Sequence, residues 1–168
     1  MYKRQNLSYA NDWEGFTESE NIGKDLFFAH CSSCHNLTSQ RSPLFNRAFG
    51  LTMANNGLDK EYIDKGRGNV TAESRDMGLF KIPNLRNIAL TSPYMHDGRF
   101  QTIEEVVDFY SEGIQNHPNL HPKLRNDIQG PRKFKFSEQE KEALISFMHT
   151  LTDYELLTDD KWSDPFMR

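Results

Sequence analysis

Cys31-Ser32-Ser33-Cys34-His35 contains the only two cysteines of the chain, with a histidine directly behind them. This spacing is the attachment pattern of a c-type haem, whose vinyl groups take up both thiols as thioethers. Positions three apart on a helix share a face, so both sulfurs can meet one edge of a flat macrocycle. His35 follows at once and can offer an imidazole nitrogen to the iron, histidine being the usual proximal handle on haem iron. Two other uses of such residues fit less well. A thioredoxin-like dithiol belongs in a strand-helix-strand unit, and no such alternation surrounds these cysteines. A structural zinc site wants four ligands, commonly two pairs, and there is no second cysteine pair. A disulfide or two idle thiols stay open on these residues alone.

Working outward, Thr17 and Glu20 form a capping-box pattern that starts a helix. Ile22, Leu26 and Phe27 are predicted to line its buried face and to lead into Cys31. Residues 36–100 read mostly as loop, punctuated by Gly50, Gly57, Gly66, Gly68, Pro83, Pro93 and Gly98, with a short helix predicted around 59–65. A loop this long is uncommon in a small domain unless it has a task, and wrapping a prosthetic group is one. Thr102 and Glu105 make a second capping box, after which Ile103, Val106, Val107 and Tyr110 follow at the spacing of one helical face. Gly113 stops this helix. Residues 116–136 are irregular again, with Pro118, Pro122 and Pro131. Ser137 and Glu140 cap a last helix whose apolar side is Leu144, Ile145, Phe147, Met148 and Leu151. The expected organisation is all-α with long haem-wrapping loops: an arm over 1–16, a haem domain over 17–152 and an acidic arm over 153–168.

Length and charge agree with that picture. A chain of 168 residues is one domain with room for an arm. Its mean hydropathy of -0.75 is polar for a globular chain, and a buried porphyrin would add apolar core that composition does not count. The net charge of -4 argues against a nucleic-acid footprint, which is normally basic. No run of about 18 apolar residues is present, so no membrane span is expected. A c-type haem is attached outside the cytoplasm, which makes the expected location periplasmic, yet residues 1–20 lack the apolar core of an export signal. Met1-Tyr2-Lys3-Arg4-Gln5 match the translation of a transposon adapter used in sequencing libraries, with its GTG codon read as a start. A chain trimmed by design or an incomplete coding sequence would each account for the lack of that signal; the five residues favour the second and are set aside from the reading of the fold.

Three blocks resemble one family. They are Gly23 to His35; the run Gly78-Leu-Phe-Lys-Ile-Pro-Asn-Leu-Arg-Asn-Ile-Ala-Leu-Thr-Ser-Pro-Tyr-Met-His-Asp-Gly98 followed by Thr102 to Tyr110; and Pro118-Asn119-Leu120 with the helix from Ser137 to Thr150. The chain resembles the C-terminal haem domain of the bacterial di-haem cytochrome c peroxidase / MauG family over roughly residues 20–152, the second block being the specific one. The resemblance implies a cytochrome c-like fold and a pair of facing domains with one haem each. The N-terminal haem meets peroxide, and the C-terminal haem is the six-coordinate electron-transfer centre. A small redox protein is the implied electron donor.

In the family the distal ligand comes from the helix after the His-Asp-Gly turn, as methionine in the peroxidases and as tyrosine in MauG-type enzymes. The matching position is Tyr110. Methionine opposite histidine raises the potential, whereas a phenolate is a hard anion that favours ferric and higher states. Read from spacing alone, an apolar stripe of this period usually means core, which makes Tyr110 a core residue beside Val106 and Val107. Rival ligands are Met95, His96, Met77, Met53 and Met148. The family often carries phenylalanine at the position of Met95, and Met148 suits the gap-filling habit of methionine in a core. His96 matches a histidine near the haem edge; alternatively it is a turn histidine bonded to local backbone. Lys81 and Arg86 are expected beside the haem propionates, or else as ordinary surface cations. Thr91 and Pro93 match positions whose backbone carbonyls bind calcium between the two domains, with an asparagine from the other domain.

The chain departs from the family in carrying one attachment motif where two are needed, and Trp13 and Trp162 lie outside the matching blocks. The expectation is therefore an electron-transfer domain lacking its peroxidatic N-terminal partner and inactive alone. A stand-alone mono-haem electron carrier is the alternative.

Overall fold

The computed structural model describes residues 15–35, 53–154, 158–163 and 166. Expectations for the N-terminal arm through residue 14, for the adapter-like opening and for Trp13 lie outside the described residues. The elements in order are α1 (Glu18–His30), β1 (Met53–Ala54), a single turn α2 (Gly68–Thr71), β2 (Phe80–Lys81), α3 (Ile103–Asp108) and α4 (Glu138–His149). Short 3-10 turns occupy Ser74–Asp76, Ile88–Leu90 and Pro122–Leu124, and α3 runs on into a π-helical turn over Phe109–Gly113.

All three predicted capping boxes form. The hydroxyl oxygens of Thr17, Thr102 and Ser137 accept from the backbone N–H groups of Glu20, Glu105 and Glu140, and each carboxylate accepts from its cap residue's N–H. Each box satisfies donors that the first helical turn leaves without a partner, which fixes where α1, α3 and α4 begin.

The core explains the order of packing. α1 lies against α4, with Phe27 and Phe147 in contact at 5.3 Å between ring centroids. Leu85, Tyr94, Ile103, Val107, Leu144, Met148 and Leu151 complete this cluster. A second cluster of Leu58, Phe109, Ile114 and Leu120 joins the segment after β1 to the turn after α3 and the chain beyond it. At the C-terminal edge, Asn87 N–H donates to Leu151 O at 2.9 Å and Asp153 N–H donates to Asn87 Oδ1 at 2.7 Å. Those bonds hold the chain end after α4 against the loop that precedes α3.

Three sequence expectations need correction. The fold is helical but not all-α, because β1 and β2 pair antiparallel, Met53 opposite Lys81 and Ala54 opposite Phe80. Two-residue strands that meet across a long loop leave no alternating pattern to read. No helix forms at 59–65. There the Tyr62 hydroxyl accepts from Leu58 N–H at 2.9 Å, and Asp64 Oδ1 accepts from Gly66 N–H at 2.8 Å. Such local side-chain bonds compete with the helical backbone ladder. Finally, Ile22 is 47% exposed while Gly23 and Phe27 are buried. The close approach of α4 at Gly23 turns α1 so that the isoleucine faces outward.

A buried polar group ties the loop to the second cluster. His117 Nδ1 lies 3.1 Å from Asn55 Nδ2 and accepts from Asn119 N–H at 3.0 Å. An atom that accepts twice cannot carry a proton, so the native ring is neutral at Nδ1. Burial first, and the Arg125 guanidinium second, hold His117 below its ordinary 6.5. His30 and His121 are lowered by burial first as well. As pH falls below about 6.5 the unfolded chain takes up protons that the native chain refuses, so native stability falls through that window. Urea midpoints are expected to be level above about pH 7.5 and to decline from there toward about pH 5, and His117→Asn, which keeps an acceptor but does not titrate, to flatten the slope. A slope that Asn leaves unchanged assigns the effect to the other histidines.

Candidate functional site

The last turn of α1 delivers the motif. Cys31 N–H and Ser32 N–H both donate to Phe27 O, and Cys34 N–H and His35 N–H both donate to Cys31 O, at 2.8–3.0 Å. The chain thus keeps turning past the helix end and holds both cysteines, as free thiols, beside the histidine. Cys31, Cys34 and His35 line one cavity of about 390 Å³, a volume in the range of cofactor sites. Its walls are largely apolar: Phe27 from α1, Leu144 and Met148 from α4, Ile103, Val106 and Val107 from α3, and Pro83 and Leu85 from the loop.

His35 is oriented by a bond from the far side of the chain. Its Nδ1 lies 3.1 Å from the Pro83 carbonyl oxygen. A carbonyl can only accept, so Nδ1 carries the proton and Nε2 keeps the lone pair that binds metals. Burial lowers the pKa of His35, the direction that favours the neutral ring a metal ligand must be, and the Pro83 bond acts the other way. Burial and the neighbouring Cys34 push the Cys31 thiol up to about 12. That is opposite to the lowered values that activate redox dithiols, and it weakens the thioredoxin-like reading further.

Tyr110 belongs to the π-helical turn that follows α3, and it lines the same cavity together with Ile103, Val106 and Val107. Turns of this type recur at functional sites because the extra residue re-aims a side chain. Burial is the main cause that pushes the Tyr110 phenol up to about 12, while a hydrogen bond with the Asn56 side chain acts in the lowering direction. Asn56 also donates through Nδ2 to Met95 Sδ at 3.5 Å.

The remaining named residues fall into two groups. Met95, Met148, His96 and Lys81 line the cavity. His96 is exposed at its rim and stacks on Phe80 at 3.8 Å between centroids, 19° from parallel. Met53, Met77 and Arg86 are not among the lining residues. The Met53 sulfur lies 4.0 Å from Arg67 Nη1 instead. Thr91 and Pro93 are exposed and lie off the lining; Thr91 Oγ1 donates to Ile88 O at 3.2 Å. Among the described residues no cluster of three or more histidine, cysteine or acidic side chains is placed to hold a metal ion. Sequence reasoning missed Pro83 and Asn56. Pro83 lies 48 residues from its histidine partner, and nothing in local spacing connects them.

The donor set fits a c-type haem: two thiols side by side, a neutral imidazole with a free lone pair at Nε2, and apolar walls around them. Comparison with known proteins points the same way. The family model described as "Cytochrome c" matches residues 21–152. The cytochrome-c peroxidase IdrP1 of Pseudomonas sp. (strain SCT) is 38% identical over 99 residues, which cover 58% of this chain and 24% of that protein. The methylamine utilization protein MauG of Methylorubrum extorquens is 31% identical, covering 73% of this chain and 31% of its own length. The cytochrome c551 peroxidase of Nitrosomonas europaea is 32% identical, covering 84% and 36%. Among solved structures, a MauG-like protein associated with microbial copper homeostasis superposes with a TM-score of 0.69 at 36% identity, covering 90% of this chain and 52% of that one. The chain thus spans about a quarter to a third of these curated relatives and about half of the solved structure. With a family match over most of its length and a motif, cavity and histidine that agree with it, the chain belongs to the cytochrome c family, in the group that includes the cytochrome c peroxidases and MauG.

Proposed function

We propose that the chain is the c-type haem electron-transfer domain of a di-haem cytochrome c peroxidase/MauG-like oxidoreductase. A second, peroxidatic haem domain that these residues do not supply would be its partner. The observation that carries this reading is the convergence of Cys31, Cys34, His35 and Tyr110 on one apolar cavity. When bound, the haem supplies a one-electron iron couple. Cys31 and Cys34 would hold it covalently, the long loop would wrap it, and His35 would ligate through Nε2 with the Pro83 carbonyl fixing its tautomer.

Tyr110 is the proposed distal ligand. A buried phenol pushed up to about 12 keeps its proton near neutral pH, so ligation requires the metal charge to displace that proton. The Asn56 side chain offsets part of the cost by hydrogen bonding to the phenol oxygen. A phenolate there favours ferric iron and sets this domain toward MauG-type chemistry. Lys81 on the cavity wall would face the propionates, with His96 at the rim and Arg86, although off the lining, as a second cation for them. The exposed segment with the Thr91 and Pro93 carbonyls would give half of a calcium site at the junction with the partner domain. A small redox protein would be the electron donor, and the periplasm the location, since covalent haem attachment takes place there. Among the described residues no helix is long and apolar enough to cross a membrane.

The test is Tyr110→Phe in chain matured with haem attached. The native ferric spectrum and its high-spin or mixed phenolate signature are expected to disappear. An unchanged ferric spectrum would remove Tyr110 from the coordination sphere.

A further inference from the structure

Two groups able to bind iron stand side by side on the cavity wall. Met95 and Tyr110 both pack against the cluster of Leu58, Phe109, Ile114 and Leu120, and both line the cavity. Nothing about thioether or phenol alone decides which is used. Their surroundings differ in one respect that does: a single carboxamide, Asn56, lies between them.

Asn56 is fixed by its acceptor side. Its Oδ1 takes the longer leg of two shared bonds: from Leu58 N–H at 3.2 Å, which also donates to the Tyr62 hydroxyl at 2.9 Å, and from the Tyr62 hydroxyl at 3.4 Å, which also donates to Asn55 Oδ1 at 3.2 Å. The amide N–H groups are thereby turned toward the cavity, where Nδ2 donates to Met95 Sδ at 3.5 Å. Met95 is also built into place. Its backbone φ is +72°, in the left-handed region that side-chain-bearing residues rarely adopt. The turn that imposes this is clamped from both sides. Tyr94 N–H donates to Phe100 O at 2.7 Å, and the Arg99 guanidinium bonds both Asp59 and Asp97 at 2.7–2.9 Å. Strain of this kind persists where the surrounding structure over-determines a position, and it gathers at functional sites.

A thioether sulfur is a weak acceptor with two lone pairs, one of which the Asn56 N–H engages. Sulfur engaged by an N–H is a poorer metal donor than free sulfur. We propose that Asn56 is a positioning residue that selects the distal ligand, engaging the Met95 sulfur and so leaving the sixth position to Tyr110. This rests on the reading of Tyr110 as that ligand. It makes the choice between tyrosine and methionine ligation a property of the loop before α2 as well as of the π-helical turn after α3.

The experiment uses the full chain with haem attached. Asn56→Asp keeps both acceptor contacts and removes both donors; Asn56→Ser shortens the side chain without adding charge and guards against a charge artefact. Ferric near-infrared spectra and the reduction potential are the readouts. Wild type is expected to lack the charge-transfer band of histidine–methionine ligation, and so is Met95→Leu. Both Asn56 variants are expected to gain the band and a higher potential, the direction methionine ligation gives. Adding Met95→Leu to either variant is expected to abolish the band. If neither Asn56 variant gains it while Tyr110→Phe alters the ferric spectrum, the role of Asn56 is wrong and Tyr110 stands. If wild type already shows the band, or Tyr110→Phe changes nothing, both readings fall.

Discussion

Replacing Cys31 and Cys34 together by serine is expected to yield a chain that keeps no porphyrin through denaturation and has little native stability. Serine hydroxyls do not form the thioethers, so any haem present is held by His35 and packing alone. Haem staining after denaturing electrophoresis and the intact mass report the first effect directly. The second follows from the size of the site. At about 24 cal/mol per Å³, a closed dry void of about 390 Å³ would cost about 9 kcal/mol, the upper limit for a site whose mouth admits water. A whole domain is stable by about 5–15 kcal/mol. The walls cannot bear such a void, so Leu144, Met148 and Val107 must close over it or the fold must loosen. Thermal denaturation of the double variant is therefore expected far below that of the haem-bearing chain, with tertiary signals lost before helical ones. Each single serine variant is expected to lie between, with one thioether retained. A double variant that keeps added haem mass after denaturation would remove the attachment reading altogether.

Much of the molecule is written locally. The three capping boxes, Thr17 with Glu20, Thr102 with Glu105 and Ser137 with Glu140, involve residues three apart and form as read. The attachment motif is equally local, and the periodicity from Ile103 to Tyr110 identifies four residues that line one cavity. What the sequence hides is everything that depends on tertiary approach. The pairing of Met53 with Lys81 joins segments separated by a long loop. The tautomer of His35 depends on a carbonyl, a group every residue has and no residue type advertises. Asn56 looks like any loop asparagine until Tyr62, Met95 and Tyr110 are placed around it. The pattern misleads at Ile22 because the residue that sets the face of α1, Gly23, contributes nothing to a hydrophobic pattern. Its importance is the absence of a side chain.

Gly23→Ala is expected to destabilise the chain despite improving the helix. In an exposed helix interior, glycine to alanine gains about 1 kcal/mol from backbone entropy and propensity. At position 23 the added methyl would run into the Ala143 carbonyl of α4 and come within 2.9 Å of Phe147 Cβ. The first obstacle is backbone, which cannot rotate aside as a side-chain tip can, so α1 and α4 must move apart. Overpacking of a tight contact costs about 1–3 kcal/mol, occasionally more. With backbone as the partner the upper end applies, and the net loss is expected to be about 2 kcal/mol. The same displacement reaches the site, because α1 carries Cys31 at its end and α4 carries Leu144 and Met148 on the cavity wall. Phe27 and Phe147, in contact at the crossing, transmit it. Ser19→Ala, at an exposed position of the same helix, supplies the control. It is expected to hold or raise the denaturant midpoint, while Gly23→Ala lowers it and shifts the haem spectrum. Equal midpoints for the two variants would mean that α1 and α4 do not approach at Gly23, and the arrangement that brings the attachment motif to the cavity would have to be redrawn.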